Sequence, residues 1–171
     1  GINLYAAYGL SASRKSFPSA RDAAKRALEL NPNSDEALTA LAFVNYQYEF
    51  DWKTAESNFK KAVEINPNNF TARRRFGNFL HKLGRFDEGF AQQKAALAIE
   101  PNSARILNEM AWGFYLARRF DEAVSYVKNA QYIDKTNAAA LYNASEIYEH
   151  KGEHSEAMLT WKEAMTIEAA N

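Results

Sequence analysis

The chain has 171 residues, and its 21 lysine and arginine residues are balanced by 21 aspartate and glutamate residues. Zero net charge argues against nucleic-acid binding through phosphate neutralisation and against a polybasic membrane-surface module. Hydrophobic residues make up 47% of the chain, enough for a folded core, and no apolar run reaches the ~18 residues that a membrane span needs. The absence of cysteine excludes disulfide scaffolds and thiolate metal sites but leaves the compartment open, and we favour the cytoplasm.

Internal repeats organise the whole sequence. Pro32, Pro67 and Pro101 follow one another at intervals of 35 and 34 residues, and each precedes an asparagine. Aligning on these prolines divides the chain into five repeats: 1–34, 35–69, 70–103, 104–137 and 138–171. Because a period of 20–50 residues is the signature of a solenoid, the sequence predicts a single repeat domain over residues 1–171. The start at Gly1, without methionine or a signal-peptide pattern, predicts a fragment of a longer protein.

Three columns of the alignment hold similar residues in every repeat. The first column consists of Ala20, Ala55, Gly89, Ala123 and Ala157. The second, seven residues later, consists of Ala27, Ala62, Ala96, Ala130 and Ala164. The third, aromatic except at its last member, consists of Phe17, Trp52, Phe86, Phe120 and His154. Small side chains let two helix backbones approach closely, so the first two columns predict tightly packed helices.

Each repeat is predicted to form two helices. Apolar residues recur at intervals of three and four, and breaks such as Gly84 and Gly152 divide the repeats in two. Proline is tolerated in the first turn of a helix, so Pro18 predicts the start of the second helix of the first repeat. We therefore expect ten helices of ~13 residues in antiparallel pairs, each burying an apolar face on its neighbours because isolated helices of this length are marginal in water.

The third repeat carries phrases of a known family. Phe76-Gly77, the run at 84–88, Ala96-Leu97 and Pro101 resemble the tetratricopeptide repeat, and so does the ending of the first repeat at 28–33. The resemblance covers the whole chain. It implies an all-α fold, a right-handed superhelical solenoid of five antiparallel helix pairs. It also implies a non-catalytic adaptor or scaffold that binds a protein or peptide.

Departures from the family pattern are local. The second repeat has one extra residue near Glu49-Phe50, Arg73 occupies a position that is usually apolar, and Lys135 and Ala169 replace the expected proline.

A narrower resemblance concerns tetratricopeptide segments fused to bacterial winged-helix regulators, nucleotide cyclases or protein kinases. It is carried by the runs at 51–56, 59–64 and 117–123. It implies an alternative function, an oligomerising or regulatory segment of a larger bacterial signalling protein that acts through its solenoid ends.

The family resemblance implies that the first helix of each repeat lines a concave groove through its second, fifth, ninth, twelfth and thirteenth positions. This spacing independently places those positions on one helix face. The predicted partner-binding residues are Phe43, Tyr46, Arg74, Asn78, Lys82, Arg105, Asn108, Trp112, Tyr115 and Tyr142. The same positions in the first repeat hold Ile2, Tyr5, Gly9, Ala12 and Ser13, and the third repeat adds Thr71 and His81.

The groove positions differ in charge from repeat to repeat. Net charges of +3, −3, +3, +1 and −4 in the five repeats allow a locally charged groove on a neutral chain. Since tyrosine, tryptophan and arginine are enriched at binding hot spots, we expect an extended peptide or helix with acidic groups facing Arg74, Lys82 and Arg105. Its apolar groups would lie near Trp112 and Phe43. The alternative is that these two rings pack between helices and the arginines are solvated.

Signals of catalysis are few. His150, Glu153 and His154 match the H-x-x-E-H pattern of one metallopeptidase class, but Gly152 falls in a turn between helices, so the histidines do not share a helix face. The sequence has no glycine-rich phosphate loop or nucleophile elbow. We therefore predict no enzyme activity, no catalytic residue, no metal and no cofactor.

The last predicted helix carries an apolar outer face. Solenoids need polar outer faces at their terminal repeats, yet Trp161 and Met165 stand on this helix and no capping helix follows them. We expect both side chains to be partly exposed or in contact with another chain, and self-association through this end is the second predicted interaction.

Overall fold

The computed structural model describes the backbone of residues 4–170 and the side chains of residues 16–170. The helices are α1 (Leu4–Leu30), α2 (Asp35–Val44), α3 (Trp52–Ile65), α4 (Phe70–Lys82), α5 (Phe86–Ile99), α6 (Ala104–Leu116), α7 (Phe120–Ile133), α8 (Ala138–Lys151) and α9 (His154–Ala169). A five-residue π-helical turn, Asn45–Glu49, follows α2. Every regular element in the described part of the chain is helical, which confirms the all-α fold class.

Four helical hairpins follow α1, and each corresponds to one predicted repeat. They are α2/α3, α4/α5, α6/α7 and α8/α9. The chain reverses in each through a residue in the left-handed region: Phe50 (φ 58°), Gly84 (φ 74°), Arg118 (φ 59°) and Gly152 (φ 87°). These four corners stand at equivalent places in the repeats, so one backbone device closes all four hairpins.

The first repeat differs from the sequence prediction. The break expected at Pro18 is absent, because α1 runs from Leu4 to Leu30 with Pro18 inside it. The position equivalent to the later corners is Lys15, and the helix continues through it. Proline alone therefore does not start a new helix here.

The turns between repeats explain the recurring Asn-Pro-Asn phrase. The side-chain Oδ1 of Asn31, Asn66 and Asp134 each accepts a hydrogen bond, at 3.1 Å, from the N–H two residues later. This Asx turn supplies the geometry with or without proline. Asp134 therefore closes the turn although Lys135 stands in the place of proline.

The following helices begin on side-chain caps. Ser34 Oγ accepts from the Ala37 N–H at 3.2 Å, and Asn137 Oδ1 accepts from the Ala140 N–H at 3.1 Å. Each cap satisfies one of the free N–H groups at a helix start, so the polar residue before α2 and before α8 fixes where that helix begins.

The contacts divide the chain into two compact units, residues 1–76 and 77–171, with the boundary inside α4. In the first unit Leu38, Ala62 and Ala72 form a buried cluster against which Leu28 and Val63 pack. In the second unit the small-residue columns are buried at Gly89, Ala96, Ala123, Ala130, Ala157 and Ala164. A single solenoid over residues 1–171 stays a prediction.

The second unit contains an unusually close helix approach. A Cβ on Gly77 of α4 would lie 2.9 Å from the Gly89 carbonyl oxygen of α5, and a Cβ on Gly89 would lie 2.9 Å from the Gly77 carbonyl oxygen. A Cβ on Gly89 or on Gly113 of α6 would also overlap the His81 ring. These glycines therefore make room for one another and for a buried histidine.

The π-helical turn accommodates the extra residue of the second repeat. A π-helix spaces its hydrogen bonds one residue wider than an α-helix. The N–H groups of Phe50 and Asp51 both donate to the Asn45 carbonyl oxygen, which closes the widened turn. Phe50 adopts the left-handed conformation there and keeps 67% of its surface exposed.

Candidate functional site

The first helices of neighbouring hairpins contact one another through the predicted groove positions. In the second unit Asn78 of α4 donates from Nδ2 to Glu109 Oε2 of α6 at 2.8 Å. The fully buried Gln93 of α5 donates to Asn78 Oδ1 at 2.7 Å. Asn78 therefore connects three helices: its side-chain N–H group donates to α6, and its side-chain oxygen accepts from α5.

Tyr115 occupies the centre of the next contact, between α6 and α8. Its hydroxyl donates to Glu146 Oε1 at 3.1 Å, its ring lies tilted by 31° at 4.7 Å from the Trp112 ring, and it meets the His150 ring edge-on at 5.3 Å. Burial, followed by the neighbouring Glu146 carboxylate, raises the pKa of Tyr115. The hydroxyl therefore stays protonated at neutral pH and serves as a hydrogen-bond donor.

The other predicted residues of the second unit have different surroundings. Arg105 is exposed, while Asn108 is half-buried, and its buried Oδ1 has no hydrogen-bond partner among residues 16–170. Lys82 is exposed, yet burial of part of its chain lowers its pKa. Tyr142 donates to Glu168 Oε2 of α9 at 2.8 Å. Arg105 and Lys82 thus present cations, whereas Tyr142 holds α8 to α9.

The predicted binding residues of the first unit are partly or wholly buried. Phe43 is half-buried between the Phe17 ring, 6.1 Å away, and the Arg75 guanidinium, 4.2 Å from the Phe43 centroid. Tyr46 is only 5% exposed and belongs to the core, so its ring offers almost no surface to a partner. Arg74 is half-buried. The groove positions of the first repeat lie outside the described side chains.

His81 is a residue whose place the sequence did not reveal. It stands at a predicted groove position, but the structure leaves only 4% of its surface exposed. Its ring lies 4.6 Å from the Phe90 ring and fills the space that Gly89 and Gly113 leave open. Burial lowers the pKa of His81 to about 4, so the imidazole is neutral at physiological pH. The two facing glycines were the signal for this site.

The outer side of α9 exposes an apolar patch, as expected for Trp161 and Met165. Trp161 is 47%, Met165 46% and Met158 59% exposed. Since i, i+3 and i+7 positions share a helix face, these three side chains form one stripe. What contacts this stripe stays a prediction.

The histidine pattern of the fifth repeat does not form a metal cluster. His150 lies in α8 and His154 begins α9, with the left-handed Gly152 between them. Among the residues that the structure describes, no three metal-ligating side chains come together. In the same part of the chain, no helix combines the length and the apolar character that crossing a membrane requires.

Comparison with known proteins gives a family match for the last repeat and a fold match for nearly the whole chain. Repeated helical hairpins, whose first helices meet through aromatic and polar side chains, define a helical-repeat fold. Residues 138–171 match the family model of the tetratricopeptide repeat. The last repeat therefore matches the tetratricopeptide repeat, and the chain has the helical-repeat fold of the solved structures that follow.

Solved structures with this fold match nearly the whole chain. PilF of Pseudomonas aeruginosa superposes with a TM-score of 0.78 at 20% identity, over 96% of this chain and 75% of that chain. MamA of Desulfovibrio magneticus RS-1 gives a TM-score of 0.75 at 20% identity, over 98% and 95%. YrrB, described as a TPR protein with an unusual peptide-binding site, gives 0.66 at 23% identity, over 93% and 81%.

Among curated relatives, the type IV pilus assembly protein PilF of Pseudomonas aeruginosa is 24% identical over 130 residues, which cover 74% of this chain and 51% of PilF. The chain thus spans about half the length of PilF. It spans a third or less of three further curated relatives.

Proposed function

We propose that the chain is a non-catalytic protein-interaction module that holds an extended peptide or a helix of a partner protein along the first helices of its repeats. The observation that carries the proposal is the close Trp112–Tyr115 ring pair, whose centroids lie 4.7 Å apart. It lies half-buried at predicted groove positions of α6, beside the polar contacts that join α4, α6 and α8. Such half-buried aromatic side chains are the usual anchors of protein interfaces.

The charged neighbours of the aromatic pair support a polar partner segment. Arg105 and Lys82 are exposed cations on α6 and α4, and they suit acidic side chains of a partner. The half-buried Trp112 ring suits the apolar stem or the flat face of a partner side chain. We keep Arg74 and Phe43 as contacts of the first unit and assign Tyr46 a supporting role, because its ring is buried. We expect a micromolar affinity, on the order of −8 kcal/mol.

Affinity selection from a random peptide library, followed by fluorescence anisotropy on the selected peptides, tests the proposal. Trp112→Ala and Arg105→Glu should each weaken binding at least tenfold. The matched control variants are Tyr132→Ala and Lys128→Glu, which change an exposed ring and an exposed cation on α7. Circular dichroism establishes that all four variants fold. Equal losses in the control and groove variants, or no selected peptides, would overturn the proposal.

The apolar stripe of Met158, Trp161 and Met165 supports a second candidate function. These half-exposed side chains on α9 suit association with a second copy of the chain or with another part of a larger bacterial signalling protein. In this alternative the solenoid end is the functional surface and the groove is idle.

A further inference from the structure

The contact between α6 and α8 combines aromatic rings with carboxylates. We call the Trp112–Tyr115 ring pair and the Glu146 and Glu149 carboxylates the α6–α8 site. Tyr115 donates to Glu146 Oε1 at 3.1 Å, and the exposed Glu149, three residues further along α8, lies on the same helix face. Rings and carboxylates together favour one kind of ligand, a cation.

The carboxylates of this site lack a cation of their own. Among the described residues, neither Glu146 nor Glu149 forms an ion pair. Lys151, the nearest lysine along the chain, binds Asp121 and Glu153 instead, at 3.0 and 2.5 Å. Two negative charges therefore face outward beside the aromatic pair.

The nearby cationic and titratable groups do not fill the site. Arg118 influences Tyr115 electrostatically, but its guanidinium lies over the Phe120 ring, 5.4 Å from the centroid. His150 Nδ1 lies 3.1 Å from the Glu146 carbonyl oxygen, which anchors the imidazole to its own helix. Within the part of the chain whose side chains are described, the Glu146 carboxylate accepts only the Tyr115 hydroxyl, so lone pairs remain for a ligand.

Elsewhere in this chain, an aromatic ring and a carboxylate together bind a guanidinium. The Arg119 guanidinium lies 4.7 Å from the centroid of the Phe114 ring and donates to Glu122 Oε1 at 2.9 and 2.6 Å. A guanidinium suits this arrangement because it is planar, stacks on aromatic faces and forks its N–H groups onto a carboxylate. The corner between α6 and α7 thus contains the cation that the α6–α8 site lacks.

We propose that the α6–α8 site binds an arginine side chain of the partner, with the guanidinium against the Trp112–Tyr115 pair and its N–H groups on Glu146 and Glu149. The inference rests on the proposed function and adds the chemistry of one anchor residue. Because Tyr115 already orients Glu146 and buried Ile147 fixes α8, the site loses little freedom on binding. Lysine should bind more weakly than arginine, since an ammonium cannot fork or stack.

Titration of the ¹⁵N-labelled chain with two defined probes tests the inference. The probes are Nα-acetyl-arginine amide and its neutral isostere Nα-acetyl-citrulline amide, at one ionic strength. We expect the arginine probe to shift the Trp112 indole N–H signal saturably, and citrulline to bind at least fivefold more weakly. Glu146→Gln combined with Glu149→Gln should weaken arginine binding at least fivefold. Glu156→Gln combined with Glu163→Gln on α9 is the control with the same charge change.

Equal shifts from both probes would overturn the inference, and so would equal losses in the two double variants, since either result would mean attraction to net charge alone. The amide spectrum of each variant shows that it is folded. A groove that binds selected peptides but ignores arginine would refute the inference and leave the proposed function standing. Arginine binding at this site together with unchanged peptide affinity in Trp112→Ala and Arg105→Glu would refute the proposed function instead.

Discussion

At the scale of single residues, His81 and Phe50 have environments that could not be predicted from the sequence. Its position in the repeat predicted that His81 faces the groove. Its ring is instead buried, because Gly89 and Gly113 leave space for it between the helices. Phe50 takes a backbone conformation that two other repeats give to glycine, and its ring stays exposed. Both residues lead to tests of stability.

The buried His81 predicts a loss of stability in mild acid. Its pKa is about 4 in the folded chain and near 6.5 when unfolded, so the unfolded state binds the proton more readily. Stability from this group is complete above pH 6.5 and falls as the pH decreases toward 4. We expect the free energy of unfolding to fall by about 1–2 kcal/mol between pH 7.5 and pH 5.

Urea unfolding of the wild type and of His81→Asn at both pH values measures this effect. The asparagine variant does not titrate at this position, so its loss between the two pH values should be smaller by the same amount. A parallel decrease in both proteins would show that other groups cause the acid sensitivity.

Phe50 predicts a substitution that stability tolerates. Phe50→Gly removes the strain of a left-handed aromatic residue, and the freedom of glycine in the unfolded chain offsets part of this gain. We expect the free energy of unfolding to stay the same or rise by up to ~1 kcal/mol. Phe59→Ala in the same hairpin, where the ring is fully buried, should lose about 3–5 kcal/mol. A loss above ~1 kcal/mol for Phe50→Gly in urea unfolding would contradict the strain argument.

At the scale of helices, periodicity and small-residue columns predicted α2 to α9 because both depend on local spacing. These two sequence signals did not predict two local features of the structure. Pro18 lies within α1, which continues without a break from Leu4 to Leu30. The π-helical turn begins at Asn45 and changes the direction of the residues that follow, which is why Tyr46 is buried although an α-helical register placed it in the groove.

The packing of α4, α5 and α6 predicts a strong effect of one methyl group. Gly113→Ala places a Cβ against the buried His81 ring, so we expect a loss of about 1–3 kcal/mol despite the better helix propensity of alanine. Thermal unfolding followed by circular dichroism measures it. The double variant Gly113→Ala with His81→Ser should lose less than the sum of the two single variants. Full additivity would mean that the two positions do not contact each other.

At the scale of the molecule, the all-α repeat fold could be predicted because five repeats of one pattern reinforce one another. The candidate site could be predicted only in part. Position along the repeat selected Trp112 and Tyr115, but their hydrogen bonds and rings became visible only with Glu146 and His150 placed beside them. Charge by repeat indicated an acidic fifth repeat without showing that, among the described residues, Glu146 and Glu149 form no ion pair.

The apolar stripe on α9 predicts self-association at high protein concentration. Sedimentation velocity over a hundredfold concentration range should show a rising average mass for the wild type. Trp161→Ser combined with Met165→Ser should stay monomeric, because it removes two half-exposed apolar side chains. Tyr132→Ser, which removes an exposed ring from α7, is the control and should behave as the wild type. Identical mass profiles in wild type and double variant would exclude this end as the contact.

The π-helical turn of the second repeat has an evolutionary consequence. The inserted residue is taken up between Asn45 and Phe50, and Ala55 and Ala62 immediately beyond it are fully buried like their counterparts in later repeats. A length change in one hairpin therefore required no compensating deletion downstream. Corners of this kind are places where such a chain can acquire new exposed side chains, one repeat at a time, while the residues that pack its helices stay in phase.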